Sequence, residues 1–160
     1  MTEHNPQEIV VRDATPDDSE FIADCNCRLA EESEHKTLDR LVLDSGIRRG
    51  MGNPAMCRYF VAEVNGRRAG MTMLTYELTD WRDGVIWWLQ SVYVFEEFRH
   101  RGVFRALYDH IERLARRSPE VRGLRLYVRT DNERAVKTYR AMGMEPTGYE
   151  VLEKDWTKRT

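Results

Sequence analysis

The sequence predicts a single α/β domain in which a mixed sheet is flanked by helices. Three stretches carry that expectation. Residues 57–78 contain two β-prone runs around Asn65-Gly66, the dipeptide of a tight hairpin. VIWWLQSVYV, residues 85–94, is apolar on both faces, as a central strand covered on both sides must be. Residues 103–117 then change to a helical period. At about 100° per residue Val103, Phe104, Leu107, Tyr108, Ile111, Leu114 and Ala115 share one arc, opposite Arg105, Asp109, Glu112, Arg113 and Arg116.

The other elements follow in chain order. Residues 9–12 read as a short strand, and Thr15 before Pro16, with acidic residues in the first turn, opens a helix through TPDDSEFIADCNCRLAEESE. A second helix is expected over residues 39–49. Asp83-Gly84 turns the chain into the central strand, where Gln90 and Ser91 interrupt the apolar run and need a partner or a purpose. Residues 123–129 alternate as a strand, Asn132 caps a further helix, and Gly143 ends it in the left-handed region. Val151 and Leu152 lie in a final β-prone stretch. There is no repeat, low-complexity segment or linker.

Composition narrows the classes of function. The chain has 160 residues, 41% hydrophobic and 32% charged. No run approaches the roughly 18 apolar residues of a membrane span, so no membrane partner is expected. MTEHNPQEIVVRD lacks the basic start and apolar core of an export signal, which points to the cytoplasm. Three cysteines cannot all pair, in keeping with a reducing compartment. Cys25 and Cys27 with nearby His35 offer too few ligands for zinc, and no metal is expected. With 25 basic and 27 acidic residues the net charge is -2, so nucleic acid is not a natural partner and any anion site must be local.

One local candidate stands out: EEFRHRGVFRALYDHI, residues 96–111. The central strand ends near Val94, and the following loop delivers the chain into a helix N-terminus, where unpaired amides and the dipole favour anions. Arg99, Arg101 and Arg105 add positive charge. An ordinary surface helix can begin the same way, so this stretch alone leaves both readings open. It lacks the GK[ST] of a nucleotide-hydrolysing loop and the GxGxxG of a dinucleotide fold.

Taken together, LQSVYVFEEFRHRGVF and GLRLYVRTDNERAVKTYRAMGM resemble the GNAT superfamily of acyl-CoA-dependent N-acyltransferases. Its pyrophosphate turn, [QR]-x-x-G-x-[GA], is matched by Arg99, His100, Arg101, Gly102, Val103 and Phe104, with Phe104 in place of a small residue. Its N-x-x-A-x-x-x-Y-x-x-x-G helix is matched by Asn132, Ala135, Tyr139 and Gly143. The resemblance implies an α+β-type fold with a central mixed, mostly antiparallel sheet and a splayed central strand pair. It implies acetyl-CoA as donor, direct transfer to a small-molecule or peptide amine, Tyr139 as general acid, and Asn132 on the cofactor arm. Backbone groups of Val92 and Val94 would align the pantetheine and the acyl carbonyl. A side chain at Gly102 is expected to crowd the turn, whereas Phe104 is expected to point to the sheet with Leu107 and Ile111.

The general base is the open position. Where many family members place a strand carboxylate, this chain has Trp88, and Gln90 on the same face can orient a water but is no base. Glu31, Glu32, Glu34 and His35 at the end of the first helical region are candidates to approach the acceptor. Trp81, Trp87, Trp88, Tyr76 and Tyr93 concentrate aromatics where acceptors of this family bind, and an amine cation suits an aromatic face. The missing strand carboxylate keeps a second class in view, a non-catalytic acyl-CoA-binding or sensing domain. Exposed strand edges are compatible with a homodimer.

Overall fold

Asn65 and Gly66, both at positive φ (49° and 77°), close the two-residue hairpin between β2 (Cys57–Val64) and β3 (Arg67–Thr79). The computed structural model describes residues 7–157, which divide after Tyr127 into two compact units. In the first unit the hairpin sits within a five-stranded sheet of order β1-β2-β3-β4-β5, where β1 is Ile9–Asp13, β4 is Gly84–Val94 and β5 is Val121–Leu126. The first four strands are antiparallel neighbours, and β5 runs parallel to β4. A parallel neighbour needs a crossover, supplied by α3 (Val103–Arg117) between the two strands.

The two faces of the sheet are covered by different helices. Cys57, Tyr59, Met71 and Tyr93 pack with Ile22, Ala23 and Cys25 of α1 (Ser19–Glu34) and Ile47 of α2 (Arg40–Met51). On the opposite face, Phe60 meets His110 of α3 edge to face at 5.5 Å. The apolar arc of α3 is buried at Val103, Leu107, Tyr108, Ile111 and Ala115. Phe104, in the first turn, is half-buried. Helical side chains lean toward the N-terminus, so a first-turn residue leans past the end of its helix.

Asp18, fully buried, ties β1, β3 and the start of α1 together. Its carboxylate accepts from Arg12 (2.7 and 3.1 Å), Arg68 (2.7 Å) and the Thr15 amide (2.8 Å). Burial alone would raise its pKa, but the Arg12, Thr15 and Arg68 bonds outweigh it and hold the carboxyl at about 2.

Two sequence expectations are corrected. The strand expected over residues 123–129 begins at Val121 and ends at Leu126, because its ladder to β4 runs only from Val85–Val121 to Leu89–Leu126. In the second unit, Val151 and Leu152 are exposed and belong to no strand among the described residues. β-propensity is realised only against a neighbouring strand. That unit is organised by α4 (Glu133–Ala141), where Asn132 Oδ1 accepts from the Ala135 amide at 3.1 Å and Gly143, at φ +85°, follows the last turn. Among the described residues no helix is long and apolar enough to cross a membrane.

Candidate active site

The site begins where β4 and β5 part. Their last paired residues are Leu89 and Leu126, while Gln90 to Val94 continue as a strand against β3 alone. The Phe95 amide donates to Ala69 at 2.9 Å. Because alternate residues of a strand direct their N–H and C=O to opposite neighbours, Tyr93 and Ser91 also bond toward β3. Val92 and Val94 therefore direct theirs to the side that β5 has left. The Val94 carbonyl is taken by Arg99, and the remaining groups are available to an extended amide-bearing ligand.

The turn after β4 supplies the second element. A single 3-10 turn, Glu96–Phe98, is pinned by buried Phe98. The chain then places His100 at φ 61° and Gly102 at φ 82°, on either side of Arg101. Alternation of left- and right-handed residues turns consecutive amides to one side, the geometry of an anion-binding nest. A left-handed conformation costs a non-glycine residue about 1–2 kcal/mol, and such strain collects at ligand-binding turns. Gly102 is also the N-cap of α3 and offers no side-chain cap. Its carbonyl accepts from Ala106 at 2.9 Å, the first bond of the helix, so the first-turn amides have no intrahelical partner. The Arg101 carbonyl is held at 3.0 Å by the Gln7 side chain.

A Cβ at Gly102 would meet only Ile9 Cδ1, at 3.8 Å. The expected crowding is therefore absent, and glycine is needed there for its φ.

The arginines divide their duties. Arg99 Nε donates to the Val94 carbonyl at 2.9 Å, and its Nη2 reaches Glu32 at 2.7 Å. Its charge thus clamps the turn to β4 and to the end of α1, while its amide closes the preceding 3-10 turn by donating to the Glu96 carbonyl at 3.1 Å. Arg105 pairs with Asp109 at 2.8 Å, while exposed Arg101 lies over the Phe98 ring at 5.9 Å. Of the four candidates at the end of α1, Glu32 reaches the sheet: it accepts from Tyr93 Oη at 2.6 Å. Desolvation pushes the Tyr93 phenol up, the Glu32 bond adds to it, and the value reaches about 12. Glu32 itself is raised by desolvation but lowered further by Tyr93 and Arg99, and finishes below the ordinary glutamate value. It is an anchored carboxylate rather than a base. Glu31, one residue earlier, is exposed.

The aromatics divide as well. Gln90 has no residue opposite it: Met73 pairs with Ser91 and Leu74 with Leu89, so Gln90 is the extra residue of a β-bulge. The bulge reverses which face each residue of β4 presents. Val92 shares a row with Thr72 and Phe60 under α3, whereas Trp88 shares one with Thr75 and Cys57 on the α1–α2 face. Gln90 Nε2 donates to Thr75 Oγ1 at 2.8 Å on that same face. Trp87 is buried against Tyr76 on the other side. Trp81, 91% exposed in the connection between β3 and β4, does not join Trp88.

Beside Trp88 lies a group that sequence reasoning missed. Its indole Nε1 donates to Glu77 of β3, Arg125 of β5 pairs with the same carboxylate at 3.2 Å, and Tyr127 lies against the indole at 4.6 Å between ring centroids. Glu77 opposes Ile86, so it reaches Trp88 diagonally.

In the second unit Asn132 acts as the N-cap of α4, and Tyr139 lies with Ala135, Val136 and Met142 among its half-buried residues. Burial pushes the Tyr139 phenol up. Burial likewise pushes the Cys25 thiol up to about 12, and no group of three or more His, Cys, Asp or Glu is placed to hold a metal ion among the described residues.

The model of the acetyltransferase (GNAT) family matches residues 13–144. A possible acetyltransferase from Clostridium difficile 630 is 36% identical, with 92% of this chain and 97% of that one covered and a TM-score of 0.86. The aminoglycoside N-acetyltransferase AAC(6')-Iy in complex with CoA is alike in fold, at 15% identity, 96% and 98% coverage and a TM-score of 0.77. A ribosomal-protein-alanine N-acetyltransferase from Brucella melitensis biovar Abortus 2308 is also alike in fold, at 15% identity, 92% and 100% coverage and a TM-score of 0.73. No protein of curated function matches the sequence.

Proposed function

The chain belongs to the acetyltransferase (GNAT) family, and we propose that it carries an acetyl group from acetyl-CoA directly to a primary amine through the groups described above. The observation that carries this assignment of residues is the parting of β4 from β5 at Leu89–Leu126, immediately before a strained turn that opens α3. The outward N–H and C=O of Val92 and the N–H of Val94 fit the amides of pantetheine, and the amides from Arg101 through Arg105 fit a pyrophosphate. Acetyl-CoA supplies an acyl carbon already activated as a thioester.

In the reaction the amine nitrogen bonds to that carbon, the carbon–sulfur bond breaks, and the amine loses a proton while the leaving sulfur gains one. Tyr139 is the proposed donor to sulfur. The phenol carries a transferable proton at neutral pH, and burial holds that proton more tightly. Asn132 caps α4 and is the proposed contact to the cofactor arm. Gln90 is suited to orient a water beside the acceptor, being exposed and held by Thr75. The three free thiols suit a reducing compartment, and we place the enzyme in the cytoplasm.

The test is Tyr139→Phe. With acetyl-CoA and an accepted amine, kcat should fall about 100-fold or more while the KM for acetyl-CoA is little changed. Undiminished turnover would remove Tyr139 from the mechanism.

A further inference from the structure

Trp88, expected near the acceptor, forms a cluster with Glu77, Arg125 and Tyr127, three residues to which the family assignment gives no role. The Glu77 side chain is 43% exposed and that of Arg125 is 25% exposed. Trp88 Nε1 fixes one carboxylate oxygen of Glu77. Arg125 contacts both oxygens through Nη1 alone, at 3.2 and 3.4 Å, with its guanidinium carbon 5.8 Å from the centre of the Trp88 ring. This is not the two-nitrogen fork of a strong arginine–carboxylate pair. The other guanidinium nitrogens remain to engage a second carboxylate, and Glu77 retains lone pairs for a second cation. Trp88 and Tyr127, tilted by 33° at 4.6 Å, stand beside the pair as an apolar wall. The cluster shares its face of the sheet with Thr75 and Gln90, next to the point where β4 is released from β5.

The charges of Glu77 and Arg125 cancel. A site of one anion and one cation side by side repels a polycation at Arg125 and a polyanion at Glu77, but complements a ligand that carries both charges within a few bonds. We propose that this cluster is the acceptor subsite and that the acceptor is an amino acid. Glu77 binds its ammonium, Arg125 binds its carboxylate through the open part of the guanidinium, and Trp88 and Tyr127 cover its carbon atoms. Glu77 thus contributes from β3 the carboxylate that residue 88 does not. The proposal rests on the acetyltransferase reading and goes further by naming the acceptor class.

The experiment compares amino acids with their decarboxylated partners as acceptors: lysine with cadaverine, tyrosine with tyramine, histidine with histamine, methionine with 3-(methylthio)propylamine. Kanamycin, spermidine and a lysine peptide serve as further arms, and thiol release from acetyl-CoA is followed throughout. At least one amino acid should exceed its partner in kcat/KM by about tenfold, the worth of a charged hydrogen bond. Arg125→Gln should erase that ratio through the KM of the amino acid, leaving the KM for acetyl-CoA unchanged, and Arg125→Lys should restore part of it. Glu77→Gln should raise KM for both members of the pair. Equal or better use of the decarboxylated amines, or a preference that survives Arg125→Gln, would overturn the proposal. So would acetylation of kanamycin, spermidine or the peptide with no amino acid accepted, which leaves the transferase reading intact. Acetylation of nothing in the panel would sink both.

Discussion

Replacing Gly102 separates conformation from crowding in the turn that opens α3. Its φ of 82° lies in the left-handed region, and an added Cβ meets nothing nearer than Ile9 Cδ1 at 3.8 Å. The cost of Gly102→Ala is therefore the left-handed penalty, about 1–2 kcal/mol. For a chain of this length that corresponds to a fall in Tm of roughly 2–8 °C. Gly102→Asn should cost less, because asparagine visits this region more readily, and Gly102→Val more, because a β-branched residue tolerates it worst. Affinity for CoA should fall in the same order, by up to about tenfold for alanine, as the residue leaves the left-handed region and the amides swing apart. Pantetheine, which lacks the pyrophosphate, is the control and should bind all variants alike. Thermal denaturation and calorimetry measure both quantities. Alanine and asparagine variants indistinguishable from wild type, or equal losses for CoA and pantetheine, would refute the reasoning.

Two further outcomes follow from the charged groups. The Asp18 carboxyl sits at about 2 in the fold, against an ordinary 3.8. Because the folded value is the lower one, its stabilisation of roughly 2 kcal/mol is present above about pH 4 and drains away as pH falls toward 2. Urea titrations at stepped pH should show this acid limb, and Asp18→Asn should flatten it while destabilising the protein by about 3 kcal/mol at neutral pH. Arg99→Lys cannot serve both the Val94 carbonyl and Glu32, which Arg99 reaches through Nε and Nη2. It should cost about 1 kcal/mol of stability and weaken CoA binding, and unchanged calorimetry for both would show that the clamp is idle.

Much of the fold was legible because local and tertiary signals agree. The helical period placed α3 at its observed ends, Val103 and Arg117, and Asn65-Gly66 placed the hairpin. Asn132 and Gly143 bound α4 as their cap chemistry requires. The turn that opens α3 was legible as a motif, but not why it needs glycine, since strain at φ 82° and a clash leave the same mark on a sequence. The face that carries Trp88 was hidden by one residue. Counting by twos from Val94 puts Trp88 on the face of Val92, and the bulge at Gln90 moves it to the other. Glu77 and Arg125 meet only through that register, across three strands, so no spacing along the chain could announce them. Glu32 rather than Glu31 reaches the sheet, a choice between adjacent residues set by helix rotation at the C-terminal turn of α1. The end of β5 depends on where its neighbour stops pairing.

The central claim is that this chain moves acetyl groups to amines, and the most direct measurement follows both products at once. Wild-type protein is incubated with acetyl-CoA and each amine of the panel, free CoA thiol is titrated, and acetylated amine is quantified by mass spectrometry. One acetylated amine for each CoA released, with both slowed together in Tyr139→Phe, is the predicted result. Thiol release without acetylated amine, or CoA binding with no release on any amine, would contradict it.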